Sequence, residues 1–449
     1  MIRRSDADAC PGALRLHTAA DGPLARVRLP GGLLTGGQLR AVRELAEAFG
    51  DGHVELTSRA NLQLRALTRA PAETLAARLG VAGLLPSPAH ELVRNIAASP
   101  LDAGVRPLVA ALDRALCADP RLASLPGRFL FAIDGGALDV ARSADVAAVP
   151  AAALSGGDFQ SGAGSGEIAI VFAGLDAGLR VPAGEVVGAL LAAAHAFLDE
   201  RDAQASPVWR VRELVDGPSR VAIRVAAALG VGLGAGGAVP EPDLREPVGI
   251  IAQPGQLVAL GAVVPLGRLS GVQIRVLEEA EAIVVTPWRG VVLPDLSPSA
   301  AEVWQRDLAA AGLEVRSGSR WAGVTACAGR PGCAKSLADV RRDAAEAVLA
   351  GFGGERPVHW VGCARGCGSP AGAHVRVEAT GSGYAVQADG FAASASAAEV
   401  GALVSAARRS DHNRDLSASA DEVGALVAAA RSSSHGRDLS VLSEADRAL

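Results

Sequence analysis

Six cysteines occur in the chain, and four of them form two close pairs in its last third. Cys327 and Cys333 have a C-x5-C spacing, whereas Cys363 and Cys367 have a C-x3-C spacing. Four thiolates are the usual ligands of a [4Fe-4S] cluster, because soft sulfur ligands bind iron and accept the spread charge of the cluster. The pattern therefore predicts an iron–sulfur centre and a role in electron transfer.

Other interpretations of these cysteines are disfavoured. Structural zinc sites usually have tighter C-x2-C spacings. Disulfides form in oxidising compartments, whereas the N-terminal MIRRSDADACPG lacks the apolar segment of a signal peptide, so we expect a cytoplasmic protein. Four unligated cysteines would have no reason to fall at two glycine-flanked spacings. The two remaining cysteines, Cys10 and Cys117, lie far from the pairs and are not expected to bind the cluster.

Length and composition exclude several classes of protein. A chain of 449 residues is too long for one compact core, which predicts two or more domains. The net charge is −5, there is no basic tract, and aromatic residues are scarce, so we expect no nucleic-acid partner. The richest apolar run, VVGALLAAAHAFL, is too short and too rich in alanine to span a membrane.

The sequence contains two kinds of internal repeat. Residues 29–47 and 264–282 align without a gap, and each copy predicts a strand, a turn and a helix capped by Thr35 or Ser270. One further strand is predicted after each helix, over residues 53–67 and 282–296. In the tail, residues 399–417 return almost unchanged as residues 422–440, which predicts two short amphipathic helices that are dispensable for chemistry.

Glycine-rich segments predict the loops. A linker is expected within residues 232–248, and a surface loop is expected over residues 155–167. The GVGLGAGG of the linker is not interpreted as a dinucleotide site, because no strand–turn–helix unit follows it.

Three segments, together with the cysteine pairs, resemble the sulfite/nitrite reductase superfamily over roughly residues 9–390. They are LPGGLLTGGQLRAVRELAEAFGDGHVELTSRANLQLRAL, LVRNIAASP and LPGRFLFAIDG. Within the superfamily the pattern is most similar to the precorrin-3B synthase branch, on the phrases CPGALRLHTAADGPLARVRLPGG, VVTPWRGVVLPD and VHWVGCARGC.

The resemblance implies an α+β fold with two pseudo-symmetric halves. Each half would have a ferredoxin-like α+β subdomain followed by a larger mixed α/β subdomain. The expected segments are a first ferredoxin-like half-domain over 9–80, a reductase-like domain with the substrate pocket over 86–231, a second ferredoxin-like half-domain over 245–315, an iron–sulfur domain over 320–392 and a tail over 393–449.

The resemblance also implies a reaction. It is the O2-dependent monooxygenation of precorrin-3A at C20, with formation of a γ-lactone, in aerobic cobalamin biosynthesis. The implied cofactors are a [4Fe-4S] cluster and a mononuclear non-haem iron, and the implied electron donor is a small ferredoxin or flavoprotein. The iron ligands are not visible in the sequence, and His53, His359 and His374 are candidates only because they lie near the motifs. The last cysteine of the reductases also bridges to a haem iron, and Cys367 is the matching residue.

The acetate and propionate arms of a tetrapyrrole require fixed cations, and the planar fork of arginine suits carboxylates better than lysine does. Arg59, Arg94 and Arg128 fall on family positions that line the tetrapyrrole pocket. Arg65 is expected on the same strand face as Arg59. The side-chain amides of Asn61 and Gln63, which alternate with Arg59 along the sequence, are also expected to supply hydrogen bonds to the substrate. The predicted substrate-binding residues are Arg59, Asn61, Gln63, Arg65, Arg94 and Arg128.

Two alternatives stay open. The first is a siroheme-dependent assimilatory sulfite or nitrite reductase, and the second is a non-catalytic iron–sulfur or tetrapyrrole-binding protein. Leu130 disfavours the first, because it stands where the reductases have a lysine, and Arg365 likewise replaces an asparagine. The set of arginines disfavours the second. The stretch between Cys333 and Gly351 predicts a helix with Leu337, Val340, Ala344 and Val348 on one face and with its N-terminus directed at the cluster.

Overall fold

The computed structural model describes residues 10–68, 71–155, 166–241, 246–351, 354, 356–370, 372–388 and 391–409. The second copy of the tail repeat, most of the loop predicted over 155–167 and part of the predicted linker lie outside them. The chain forms two compact units, Met1–Ser319 and Arg320–Leu449. Of the helices in the described ranges, none is long and apolar enough to cross a membrane.

The first unit contains sixteen strands and seven α-helices within the described residues, in addition to short 3-10 helices. Its first part comprises β1 (His17–Ala19), β2 (Gly22–Val27), β3 (Leu33–Leu34), α1 (Gly36–Phe49), β4 (Val54–Leu56), β5 (Leu62–Leu64) and α2 (Ala72–Val81). Its middle part comprises β6 (Ile96–Ala98), α3 (Arg106–Ala118), β7 (Phe131–Ile133), β8 (Val146–Pro150), β9 (Glu167–Phe172), β10 (Leu175–Pro182), α4 (Val186–Ala203), α5 (Gly217–Leu229) and β11 (Gly237–Ala238). Its last part comprises β12 (Gly249–Ala252), β13 (Val258–Ala262), β14 (Arg268–Leu269), α6 (Gly271–Leu277), β15 (Ile283–Val285), β16 (Val291–Leu296) and α7 (Pro298–Ala310).

The two sequence repeats form two equivalent sheets that exchange a strand. One sheet has the order β1-β2-β5-β4-β14, and the other has the order β12-β13-β16-β15-β3. Strand β14 of the second repeat pairs with β4 of the first, and β3 of the first repeat pairs with β15 of the second. Leucines and isoleucines of both repeats share one buried core, so the two halves fold as one body.

The helix caps follow the prediction. Thr35 and Gln38 form a capping box at the start of α1, and Ser270 and Gln273 form the same box at the start of α6. Gly36 is required beside the first box, because a Cβ at this position would lie 2.1 Å from the carbonyl oxygen of Glu278.

Each long strand predicted after the helix is instead a hairpin of two short strands. The chain reverses at Thr57–Asn61 and again at Thr286–Gly290, where the amide of each threonine donates to the carbonyl of the residue four positions on, at 2.9 and 3.0 Å. Ala60 has a φ of 56° and Arg289 a φ of 65°, both in the left-handed region, which breaks the strand. The periodicity of the apolar residues does not reveal these turns, because the apolar residues before each turn and those after it follow the same strand-like pattern.

The middle part of the first unit forms a mixed sheet with the order β11-β10-β9-β8-β7-β6, in which β6, β7 and β8 are parallel. Helices α3, α4 and α5 supply apolar side chains to its core.

The second unit repeats this pattern of a parallel part followed by antiparallel strands. Its elements are β17 (Val324–Ala326), α8 (Gly329–Gly332), α9 (Val340–Leu349), β18 (Val358–Val361), β19 (Val375–Ala379), β20 (Tyr384–Ala388), β21 (Phe391–Ala395) and α10 (Val400–Arg409). The sheet order is β17-β18-β19-β20-β21, with β17, β18 and β19 parallel. The predicted α+β class with ferredoxin-like subdomains and mixed subdomains is confirmed.

Candidate functional sites

The paired cysteines lie at one edge of the sheet in the second unit. Cys327 directly follows β17, and Cys363 follows β18 by two residues. Because these strands are parallel neighbours, their carboxyl ends meet, and the two cysteine pairs are brought to the same edge. Cys333 follows the one-turn helix α8, and Cys367 lies four residues beyond Cys363.

Backbone hydrogen bonds fix the two cysteine loops against each other. The amide of Cys327 donates to the carbonyl of Trp360 at 2.9 Å, and the amide of Gly362 donates to Sγ of Cys327 at 3.3 Å. The amide of Leu337 donates to the carbonyl of Gly362 at 2.8 Å. Residue 362 must be glycine, because a Cβ there would lie 1.8 Å from Oγ of Ser336.

His359 supports this edge from within the sheet and is fully buried. Its Nε2 lies 3.0 Å from the carbonyl oxygen of Cys367, and its Nδ1 lies 2.8 Å from Oγ1 of Thr325. A carbonyl can only accept, so Nε2 carries the proton and donates to Cys367. Both ring nitrogens are engaged, which makes His359 a support of the Cys367 backbone.

The four thiols fit a cluster better than a single ion. Burial raises the pKa of Cys367, and charges on the other three cysteines raise it further, while Arg365 opposes them. Four mutually repelling thiolates at one edge are a donor set that a multi-iron centre neutralises. A cluster of four irons also spaces its thiolates more widely than one ion does. Among the described residues, no three His, Cys, Asp or Glu side chains form a group that could hold a single metal ion. The mononuclear iron implied by the resemblance therefore has no ligand set in this part of the chain.

The helix predicted directly after Cys333 begins later than expected. Helix α9 starts at Val340 and is capped by Asp339, and Leu337 lies outside it with 48% of its surface exposed. The backbone of residues 336–338 forms hydrogen bonds with neighbouring loops and not with a helix. For example, the backbone amide of Arg330 donates to the carbonyl of Ala338 at 3.0 Å. The predicted end at Gly351 is confirmed by its φ of 93°.

A second candidate site lies in the first unit, around Arg59. This residue is on the turn between β4 and β5, so the expectation that it shares a strand face with Arg65 is wrong. Its Nη1 donates to the carbonyl of Gly127 at 3.3 Å, and its Nη2 donates to the carbonyl of Arg128 at 3.0 Å. Arg128 itself stacks over the ring of Trp209, with 4.8 Å from Cζ to the ring centroid.

Two further arginines, Arg26 and Arg28, belong to this site and were missed from the sequence. Arg26 donates to Oε1 of Gln63 at 3.0 Å, and Arg28 donates to the carbonyl of Pro11 at 3.2 Å. The signal was present, because Arg26 on β2 and Arg28 just after its end stand two positions apart in an otherwise apolar extended segment and hence share one face. Arg210, also missed, forms an ion pair with the buried Asp145 at 2.6 Å.

The charges of these arginines influence one another. Burial, and next repulsion from Arg26, lower the pKa of Arg28 from its ordinary value to about 9. Burial, and next repulsion from Arg210, lower the pKa of Arg59 to about 10. Burial also lowers the pKa of Arg26, with a contribution from Arg128. We call these five residues the arginine site: Arg26, Arg28, Arg59, Arg128 and Arg210.

Among the described residues, four of the five form no hydrogen bond or ion pair with a carboxylate, although Glu55, Glu91 and Asp145 act at longer range on Arg26, Arg28 and Arg59. The direct partners of the four guanidinium groups in this part of the chain are an amide oxygen, backbone carbonyls and an aromatic ring. The Nε atoms of Arg26 and Arg28 are buried and have no hydrogen-bond acceptor among the described residues. Neutral acceptors do not cancel charge, so the site is prepared for an anion.

The predicted amides support this site. Asn61 accepts from the backbone amide of Leu29 at 2.8 Å and donates to Oδ1 of Asn95 at 3.3 Å, which fixes the turn. Gln63 stands opposite Arg26 on β2 and opposite Glu55 on β4, and its Nε2 donates to Oε2 of Glu55 at 2.8 Å.

The other two predicted arginines are engaged elsewhere. Arg65 forms a two-pronged ion pair with Asp21, with both distances at 2.9 Å. Arg94 does the same with Asp113, with both distances at 2.7 Å, and also donates to the carbonyl of Leu84. The structure thus brings Arg59 and Arg128 together and gives Arg65 and Arg94 internal carboxylates.

Leu130, the residue that departs from the reductase pattern, is only 4% exposed. It packs in an apolar cluster with Ala132, Leu138 and Val149, so this position supplies no cation.

The fold is that of a nitrite/sulfite reductase-like protein. Residues 17–82 match the nitrite/sulfite reductase ferredoxin-like half domain. The structure of the NirA protein of Mycobacterium tuberculosis superposes with a TM-score of 0.69, covering 87% of this chain and 82% of that one at 20% identity. The predicted superfamily resemblance is confirmed.

Curated relatives extend over most of the chain. A precorrin-3B synthase of Sinorhizobium sp is 27% identical over 407 residues, which cover 86% of this chain and 83% of the relative. A ferredoxin–nitrite reductase of Synechococcus elongatus is 27% identical over 390 residues, which cover 77% and 74%. These relatives are enzymes of the oxidoreductase type, which supports an enzymatic role here.

Proposed function

We propose that the protein catalyses the precorrin-3B synthase reaction. In this reaction, precorrin-3A is hydroxylated at C20 by O2 and forms a γ-lactone during aerobic cobalamin biosynthesis. The observation that carries the proposal is the arginine site, where four guanidinium groups are held without a carboxylate partner among the described residues. A substrate with several acetate and propionate arms supplies those carboxylates.

The residues of the arginine site would act by binding and orienting. Arg59 is fixed by two backbone carbonyls, so its guanidinium loses little freedom when it meets a substrate carboxylate. Trp209 holds the guanidinium of Arg128 flat against its ring. Truncating one desolvated arginine of this kind costs about 2–5 kcal/mol of binding.

The cysteine residues would hold a [4Fe-4S] cluster. When bound, the cluster supplies single electrons that a small ferredoxin or flavoprotein delivers. The amide of Gly362 would stabilise charge on Sγ of Cys327, and His359 would hold the backbone of Cys367 in place. The resemblance also implies a mononuclear iron; the described residues contain no group of three ligands for it, and no step is assigned to it.

A siroheme-dependent sulfite or nitrite reductase is the second candidate, because one relative is a ferredoxin–nitrite reductase. Leu130 opposes it. A reductase needs cations and proton donors around a small oxyanion, and this position instead contributes to an apolar cluster.

The test is a turnover assay on the full chain purified anaerobically. Precorrin-3A, reduced ferredoxin and 18O2 are supplied, and the product is analysed by mass spectrometry. We expect one labelled oxygen in the product and a loss of kcat/KM of about 30-fold or more in Arg59→Met. Sulfite or nitrite reduction without incorporation of labelled oxygen into precorrin would refute the proposal.

A further inference from the structure

Hydrogen bonds fix the segment that follows Cys10 within the first unit. The carboxylate of Glu91 accepts hydrogen bonds from the backbone amides of Ala13 at 2.7 Å, Leu14 at 2.9 Å and Arg15 at 3.3 Å. Residue 12 must be glycine for this arrangement, because a Cβ there would lie 2.4 Å from the carboxyl carbon of Glu91. The position of Cys10 is therefore set by its neighbours.

This anchoring places Cys10 beside the arginine site. The carbonyl of Pro11, the next residue, accepts from Nη1 of Arg28 at 3.2 Å, and the carbonyl of Gly12 accepts from the backbone amide of Arg26 at 3.2 Å. Burial lowers the pKa of Arg26, Arg28 and Arg59, and a negative charge on Cys10 opposes that lowering in all three. Attraction is mutual, so the guanidinium groups stabilise a thiolate at Cys10.

The arginine site also has unused hydrogen-bond donors. Nε of Arg28 is buried with no acceptor among the described residues, in a side chain that is 3% exposed. Nε of Arg26 is likewise buried and has no acceptor among these residues. Buried donors of this kind point to an anionic ligand that completes the site.

We propose that Cys10 is a reactive thiol of the arginine site and that its oxidation by hydrogen peroxide closes the site to carboxylate ligands. The thiolate sulfur attacks one peroxide oxygen, a sulfur–oxygen bond forms, the oxygen–oxygen bond breaks and hydroxide leaves. The sulfur is oxidised by two electrons and the peroxide is reduced by two. The sulfenate is an anion beside Arg28, where it competes with a carboxylate for the same positive charge. A thiol reductant restores Cys10.

Cys117 is the matched control within the same unit. It is half-buried like Cys10, but burial and the charge of Asp113 raise the pKa of its thiol. Its surroundings therefore disfavour the thiolate that reacts.

The first experiment is alkylation of the full chain by iodoacetamide under anaerobic conditions at neutral pH, followed by mass spectrometry of each cysteine peptide. We expect Cys10 to react at least about tenfold faster than Cys117. Citrate, a tricarboxylate probe, should slow the reaction at Cys10 and leave the reaction at Cys117 unchanged. Equal rates at the two cysteines, or no protection by citrate, would overturn the proposal.

The second experiment uses one to a few equivalents of hydrogen peroxide with dimedone as the trap for sulfenic acid. We expect the adduct at Cys10, its absence in Cys10→Ser, and weaker citrate binding after oxidation. Cys10→Ala and Cys117→Ser, compared by circular dichroism, show whether the segment still folds. Oxidation that leaves citrate affinity unchanged contradicts the proposal. The reactivity of Cys10 does not depend on which reaction the enzyme catalyses, so the labelling result and the turnover assay can fail separately.

Discussion

The buried charge of Arg28 should lower the free energy of unfolding of the ligand-free protein. Replacing Arg28 by methionine measures the size of this effect. The side chain is 3% exposed, and burial together with Arg26 lowers its pKa from the ordinary value of arginine to about 9. That difference, at about 1.4 kcal/mol per pH unit, corresponds to about 5 kcal/mol as an upper limit. The penalty is fully present below about pH 9, where the folded and unfolded chains both carry the charge, and it is relieved as pH rises above about 9 toward the pKa of the unfolded chain.

Arg28→Met removes this penalty and also loses the hydrogen bond to Pro11, which is worth about 1 kcal/mol. We expect the free energy of unfolding at neutral pH to rise by about 1–4 kcal/mol, as when buried charges are replaced by apolar side chains. The assay is urea denaturation followed by tryptophan fluorescence.

Arg94→Met is the matched control, because Arg94 is equally buried but paired with Asp113. This change leaves a carboxylate without its partner and should lower the free energy of unfolding by about 3 kcal/mol. Citrate should stabilise the wild type and Arg94→Met but not Arg28→Met, since only the last lacks an anion-binding residue. If Arg28→Met is destabilised as strongly as Arg94→Met, the charge of Arg28 is compensated within the protein and the reasoning is refuted.

Three further outcomes are expected. Serine in place of any cluster cysteine should abolish the iron–sulfur absorption and the turnover, whereas Cys117→Ser keeps both; a coloured, active variant would contradict the ligand assignment. Those cysteines are Cys327, Cys333, Cys363 and Cys367. Gly362→Ala should lower the iron content per chain, because its Cβ meets Ser336, and full iron content would contradict this packing. Burial, and next the charge of Asp134, raise the pKa of Asp139 to about 7, so its stability penalty appears as pH rises from about 4 to 7. Asp139→Asn should therefore be the more stable protein at pH 8 by about 1–3 kcal/mol in urea unfolding, and no gain would show that this carboxyl carries no penalty.

Local signals were enough to predict several features of the fold. The repeats around Thr35 and Ser270 predicted two capped helices, because a capping box depends only on residues close in sequence. The cysteine pairs were expected to lie together because four thiolates are the usual ligands of one cluster, and the parallel pairing of β17 and β18 brings them to one edge.

Features that depend on distant pairing could not be predicted. The exchange of β3 and β14 between the two sheets is set by which edge of the partner sheet is open, and a strand of two residues has no periodicity to read. Arg65 and Arg94 resembled substrate ligands because their partners, Asp21 and Asp113, are distant in sequence or on another element. Arg128 was found only through the family pattern.

The most direct test of the central claim is the ultraviolet–visible spectrum of the anaerobically purified protein, with iron, acid-labile sulfide and extractable tetrapyrrole measured on the same sample. The account predicts a broad iron–sulfur absorption, stoichiometric sulfide and no siroheme bands. Sharp siroheme bands would favour the sulfite or nitrite reductase, and a colourless protein that contains zinc would contradict the iron–sulfur assignment altogether.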